Sequence, residues 1–292
     1  MPNPFFYGGR IENPDFFIGR AADLRRIFGA LETVHTGQLQ HISMVGPRCI
    51  GKSSLLYHVT QVYEQHLLIP RVYKFVFIDL DDAHCHTQPG LLGFILDQLE
   101  LSHPHQVTME SFHESIERTQ RRGNFWPVLC LDEFEHLPQR KAEFPDDFFN
   151  ALHNLGATNQ LAFLTASETL PGQLAQQGSL TSPFFNIFQV LELGEFTEDE
   201  AGVLVKRGRD CDLPFTEKET EQVLKLAGYH PAKLQIAASE LYHAKSSGTK
   251  VSRRAWQQAY QQQIEHIFGE SPTHGPKIWG WLETILGTSR KG

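Results

Sequence analysis

The chain has 292 residues, 40% of them hydrophobic, and its 26 Lys+Arg against 34 Asp+Glu give a formal charge of -8. That length can bury a substantial core in one large or two moderate domains. The acidic balance excludes a global positive field that would draw the molecule to nucleic acid or anionic lipid. No run approaches the ~18 apolar residues of a membrane span, and the amino terminus "MPNPFFYGGRIENP" has no basic stretch followed by an apolar one. The reading is a soluble, unprocessed cytoplasmic protein whose four cysteines, Cys49, Cys85, Cys130 and Cys211, are reduced thiols.

The first β-type run is "HISMVG", from His41, and the recurrence of Leu55, Leu56, Val59 and Val62 predicts a helix soon after it. "YKFVFIDL" is the second run. The "HCH" of His84 to His86 reads as a polar loop rather than a metal site, because adjacent residues on an extended chain point to alternate sides and no second cluster has ligand spacing. The third run, "PVLCLDEFEHL", carries Asp132 and Glu133 at its end, with Glu135 and His136 read as surface loop. "PDDFFNALHNLG" puts Phe148, Phe149, Leu152 and Leu155 on one helical face and is expected to stop at Gly156. "LAFLTAS" and "NIFQVLEL" complete five strands alternating with helices, the pattern of a parallel sheet wrapped by helices. Beyond residue 195 the pattern is helical. Thr197 with Glu200 and Thr216 with Glu219 are capping boxes, Pro231 suits a helix first turn, and Trp256, Tyr260, Ile264 and Ile267 form a stripe closed by Gly269.

Gly46, Pro47, Arg48, Cys49, Ile50, Gly51, Lys52 and Ser53 spell G-x-x-x-x-G-K-S between a strand and a helix, the context of a phosphate-binding loop. The glycines allow a tight turn whose N–H groups face phosphates, and Lys52 would reach the β- and γ-phosphates. Ser53 would ligate Mg2+, and the helix amino terminus adds partial positive charge. Gly46 through Ser54 are taken as the binding set. Within it, Arg48 reads either as a phosphate ligand or as a solvent-pointing side chain, and Cys49 as filler. Asp132 and Glu133 supply what hydrolysis needs beyond this: one carboxylate for the Mg2+ shell and one to deprotonate the attacking water. Thr165 and Ser167, at the end of the fourth strand, are candidate γ-phosphate sensors or ordinary strand-end hydroxyls.

These segments, with "NPFFYGGRIENPDFFIGRAADLRRI", "SPFFNIF" and "GYHPAKLQ", resemble the bacterial, often cyanobacterial, STAND-type and AAA-like P-loop ATPases, relatives of the AAA+ and origin-recognition ATPases, over residues 1 to about 268. The resemblance implies an α/β fold of the ASCE class. Its five-stranded parallel sheet has flanking helices, with another strand between the P-loop strand and the Asp132 strand, and a small all-α lid follows. It implies that Phe17, Ile18, Gly19 and Arg20 wrap the adenine, with Asp23 in the expected acidic position. Gly228, His230 and Pro231 match the lid motif that packs on the base. The expected domains are a core at 1–194, with 1–40 its adenine-wrapping segment, a helical lid at 195–269, and a tail at 270–292 that is a partial winged helix or a docking segment. Arg71, Arg118, Arg121, Arg122 and Arg140 lack the spacing that would mark an arginine finger.

The function expected is a slow Mg2+-dependent ATPase, with ATP/ADP as ligand. Its nucleotide state would drive a conformational or assembly switch in signalling or defence, through a protein partner or self-assembly. The alternative is a DNA-handling AAA+ loader or transposition regulator, disfavoured by the acidic charge. A small-molecule kinase would need an arginine-rich lid, a GTPase would need N-K-x-D, and purely structural nucleotide binding remains a further possibility.

Overall fold

The computed structural model describes residues 3–123, 125–247 and 252–269, so the expected winged-helix or docking tail lies outside the described residues. The chain forms two compact units, Gly8–Glu200 and a second made of the residues before and after it. The first contains α1 Ala21–Glu32, β1 His41–Val45, α2 Lys52–His66, β2 Tyr73–Asp79, α3 Gln88–Gln98, α4 Met109–Arg121, β3 Trp126–Asp132 and α5 His136–Gln139. It continues through α6 Asp146–Ala157, β4 Ala162–Ser167, α7 Pro171–Gln177 and β5 Phe188–Glu192 to the first turn of α8 Glu198–Lys206.

All five expected strands form, and they pair in parallel in the order β2-β3-β4-β1-β5. β4 thus separates the loop strand from the strand ending in Asp132, as the resemblance implied. The inner strands β1 and β4 are buried at every residue, which is why they read as continuous apolar runs. Ile42, Met44, Val128, Cys130, Ala162 and Leu164 pack against α1 and α2. Ile78, Leu129, Leu131 and Phe163 pack on the opposite face with residues of α3, α4 and α6. Burial of each of the larger of these side chains, the Val, Ile, Leu, Met and Phe, stabilises the fold by about 1.5–3 kcal/mol.

Two local expectations change. α6 runs through Gly156 to Ala157 instead of stopping there. Gly156 is a packing position, since a Cβ would lie 3.0 Å from Nε2 of the buried His41. His136 opens the short helix α5, and Glu135 is tied down by the Glu168 amide, which donates to its Oε1 at 3.1 Å, so this stretch is not a free surface loop.

The second unit holds the rest of α8, then α9 Glu217–Ala227, α10 Pro231–Ser246 and α11 Arg253–Phe268. Thr216 and Glu219 make the reciprocal capping bonds of α9. Pro231 occupies the first turn of α10, and Gly269, at φ 66°, ends α11. Trp256 joins α11 to α10 by donating from Nε1 to the Ala237 carbonyl at 2.9 Å. The amino-terminal residues belong with these helices: Asn3 Nδ2 donates to Ser239 Oγ at 2.8 Å, and the Phe5 ring stacks on Phe215. The division at Glu200 and this amino-terminal grouping differ from the 1–194 segment read from sequence.

Candidate nucleotide site

Parallel pairing brings the carboxyl ends of the inner strands to one edge, where ligands of open α/β sheets bind. Val45 stands level with Ser167, and Asp79 with Asp132. Gly46 leaves β1 with its amide bonded to the Ser167 carbonyl. A Cβ on Gly46 would meet the Leu193 carbonyl oxygen at 2.8 Å, so this glycine answers to a close backbone approach. Pro47, Arg48 and Cys49 are exposed and Ile50 is buried. Gly51 has open space around it but sits at φ 101°, so here the requirement is conformational.

Lys52 is 7% exposed and folds over the loop, donating from Nζ to the carbonyls of Gly46 at 3.0 Å and Pro47 at 3.2 Å. Ser53, in the first turn of α2, donates from Oγ to Asp132 Oδ1 at 3.1 Å. Ser54 Oγ accepts from the Ile11 amide at 3.0 Å, so the amino-terminal strap crosses the start of α2. The strap is held by Arg10, whose guanidinium lies over the rings of Tyr57 and Phe77, with Asp79 at 3.8 Å.

Burial pushes the Asp132 carboxyl up to about 6; Asp79 adds to the rise, while the Ser53 hydrogen bond opposes it. Glu133 rises to about 7, first by burial and then by repulsion from Glu135 and Asp132. Its backbone is left-handed at φ 53°, the turn by which the chain leaves β3. Ser167 is fully buried and gives its proton to the Thr169 carbonyl at 2.8 Å. Thr165, two residues deeper in β4 and level with Leu131, is also fully buried and has no hydroxyl partner among the described residues.

The segment expected to wrap adenine touches this loop and α2. Phe17 stacks on His58 of α2 with ring centroids 3.8 Å apart, and Ile18 is half-buried. Gly19 and Arg20 are both left-handed, at φ 71° and 63°. Arg20, 7% exposed, donates from Nη2 to the Ile50 carbonyl at 2.9 Å and stacks over Phe196. Burial lowers its pKa, opposed by Asp23 and Glu200. His230 and Pro231 lie in the second unit, where the His230 ring meets Phe268 edge-on at 5.4 Å.

Sequence reading missed Asp79, His58, Phe196, the Ile11 to Ser54 bond and the second role of Glu200. Only Glu200 carried a signal, its capping box, and that signal gives no hint of a partner 180 residues away.

No family model matches the chain. A curated relative, an uncharacterized HTH-type transcriptional regulator of Methanocaldococcus jannaschii, is 22% identical over 276 residues, covering 82% of this chain and 66% of the relative. The chain therefore spans just under two thirds of that relative's length. Among solved structures, a Walker-type ATPase of Pyrococcus abyssi aligns with TM-score 0.64 and 17% identity over 95% of this chain and 78% of its own. The ORC2 protein of Aeropyrum pernix, in its ADPNP–ADP complexes, aligns with TM-score 0.68 and 14% identity over 89% of this chain and 71% of its own. At such identities the likeness establishes the fold alone: a five-stranded parallel sheet flanked by helices, with a helical carboxyl-terminal region, as in these two proteins.

Proposed function

We propose that the chain binds ATP with Mg2+ at the loop between β1 and α2 and hydrolyses it slowly. The observation that carries this reading is the bond from Ser53 Oγ to Asp132 Oδ1, which brings the loop hydroxyl and the β3 carboxylate together with Glu133 next in the chain. The residues fit a divalent cation: Asp132 is 4% exposed, and burial together with Asp79 raises its carboxyl, so positive charge is what this spot lacks. Ser53 and Asp132 would hold Mg2+, which when bound supplies positive charge to the phosphate oxygens.

The chain's own groups do the rest. Lys52 exchanges its two loop carbonyls for phosphate oxygens. The loop amides and the amino terminus of α2 receive the remaining phosphate charge. Glu133 accepts a proton from the attacking water, and a base near 7 is matched to that step at neutral pH. The γ-phosphate sensor falls to Ser167, at the strand tip, with Thr165 behind it. The STAND-type resemblance supports a switch whose nucleotide state governs conformation or assembly in a cytoplasmic signalling or defence pathway, with His230 and Pro231 on the lid side.

A second reading, DNA handling, draws on the name of the HTH-type relative. It requires ATP-dependent DNA binding that weakens with salt.

The test is ATP turnover and mass in ATP and in ADP for wild type, Lys52→Ala and Glu133→Gln. Glu133→Gln is expected to lose about 100-fold or more in turnover while retaining nucleotide, and Lys52→Ala to lose binding. Wild-type protein showing no turnover sinks the enzyme reading, and mass that ignores the nucleotide sinks assembly.

A further inference from the structure

The resemblance places Arg20 on the base, and its guanidinium is bonded within the phosphate loop. It is 7% exposed, and its best bond runs from Nη2 to the Ile50 carbonyl at 2.9 Å, inside the phosphate loop. In a planar trans peptide the carbonyl of one residue and the N–H of the next point in opposite directions. Holding the Ile50 carbonyl therefore turns the Gly51 N–H away from Arg20. Gly51 is the residue that opens α2, at φ 101°, and as a glycine it can rotate its peptide at little cost. A loop of this freedom needs an anchor outside itself if its amide is to be set before phosphate arrives.

The same arginine is fixed from the other side by the segment that starts α8. Its backbone amide donates to Glu200 Oε1 at 2.6 Å, and its guanidinium lies 5.0 Å from the centre of the Phe196 ring. Glu200 uses its other oxygen, Oε2, to accept the Thr197 amide at 2.9 Å, so one carboxylate caps α8 and holds Arg20. Asp23 Oδ2 lies 3.7 Å from Nη1 of the same guanidinium.

We propose that Arg20 is a positioning residue for the phosphate loop. It orients the Ile50–Gly51 peptide so that the Gly51 N–H faces phosphate, and through Phe196 and Glu200 it couples the loop to the first turn of α8. The inference rests on the reading of the loop as an ATP site and adds the route by which occupancy is felt at α8.

The experiment uses the full chain and two probes, Mg-ADP and inorganic pyrophosphate, with affinities measured by calorimetry for wild type and Arg20→Met. A positioning role lowers the affinity for both probes about tenfold or more, because both depend on the Gly51 amide. Loss confined to ADP means that Arg20 serves the base and overturns the proposal, as does unchanged affinity for both. Hydrogen exchange of the wild-type amides at 197–201 is read in parallel and needs no variant. ADP is expected to slow exchange there at least severalfold, and no change overturns the coupling even if Arg20→Met does not fold. Wild-type protein that binds neither probe rejects the ATP site itself, an outcome distinct from either.

Discussion

Gly19→Ala tests the junction between the amino-terminal segment and α8 most directly. Gly19 sits at φ 71°, where an L-residue costs about 1–2 kcal/mol. The added Cβ would also lie 2.6 Å from Glu200 Oε1, the oxygen that accepts the Arg20 amide. Displacing that carboxylate removes a hydrogen bond to a charged group, a loss of about 1.5–3 kcal/mol. Together the effects give about 2.5–5 kcal/mol, or a fall of ~1–2 M in the urea midpoint. Gly37→Ala is the control: φ there is 81° with nothing within 4 Å of the added carbon, so it should show the conformational part alone. In a Glu200→Ala background Gly19→Ala should likewise cost only the ~1–2 kcal/mol of backbone strain. The reasoning is refuted if Gly19→Ala and Gly37→Ala destabilise equally, or if the two changes at positions 19 and 200 are additive.

The remaining predictions concern titration and thiol access. Burial holds the His41 imidazole at about 4, against an ordinary value of 6.5. The unfolded chain therefore takes up this proton first, and stability is full above pH 6.5 and falls towards pH 4, by on the order of 3 kcal/mol. His41→Gln, which keeps an acceptor for the Phe163 amide, should flatten the urea midpoint across that window; an unchanged slope would assign it to other groups. Cys49 is exposed, whereas burial raises the Cys85 thiol to about 12 and raises Cys130 as well. A thiol reagent should label Cys49 first, leave Cys85 and Cys130 untouched until denaturant is added, and react more slowly at Cys49 when ADP is present. Rapid labelling of all four cysteines would contradict the packing around β3 and α3.

The loop from Gly46 to Ser53 was readable because its chemistry is local: backbone amides, one lysine and one hydroxyl must follow one another in sequence to share a phosphate. Asp132 was readable because an apolar strand ending in carboxylates is also a local pattern. Its bond to Ser53 was only implied, since it depends on where β3 lies relative to α2. Arg20 shows the limit. Its neighbours in sequence pointed to a nucleotide segment, yet besides the nearby Asp23 it meets the Ile50 carbonyl, Phe196 and Glu200, 30 to 180 residues away in the chain.

By itself the sequence determined the five strands, the caps at Thr197 and Thr216, the helix that follows the phosphate loop, the helix start at Pro231, and the order of that loop, all set by spacing over a few residues. The tertiary structure alone decided that Gly156 is a packing site against His41, that residues 3–7 join the helical unit, and that one carboxylate, Glu200, both caps α8 and receives the Arg20 amide. The reason is that periodicity encodes which face of an element is buried but not which element covers it. That choice follows from the order β2-β3-β4-β1-β5, through which residues distant in the chain come to share one sheet edge.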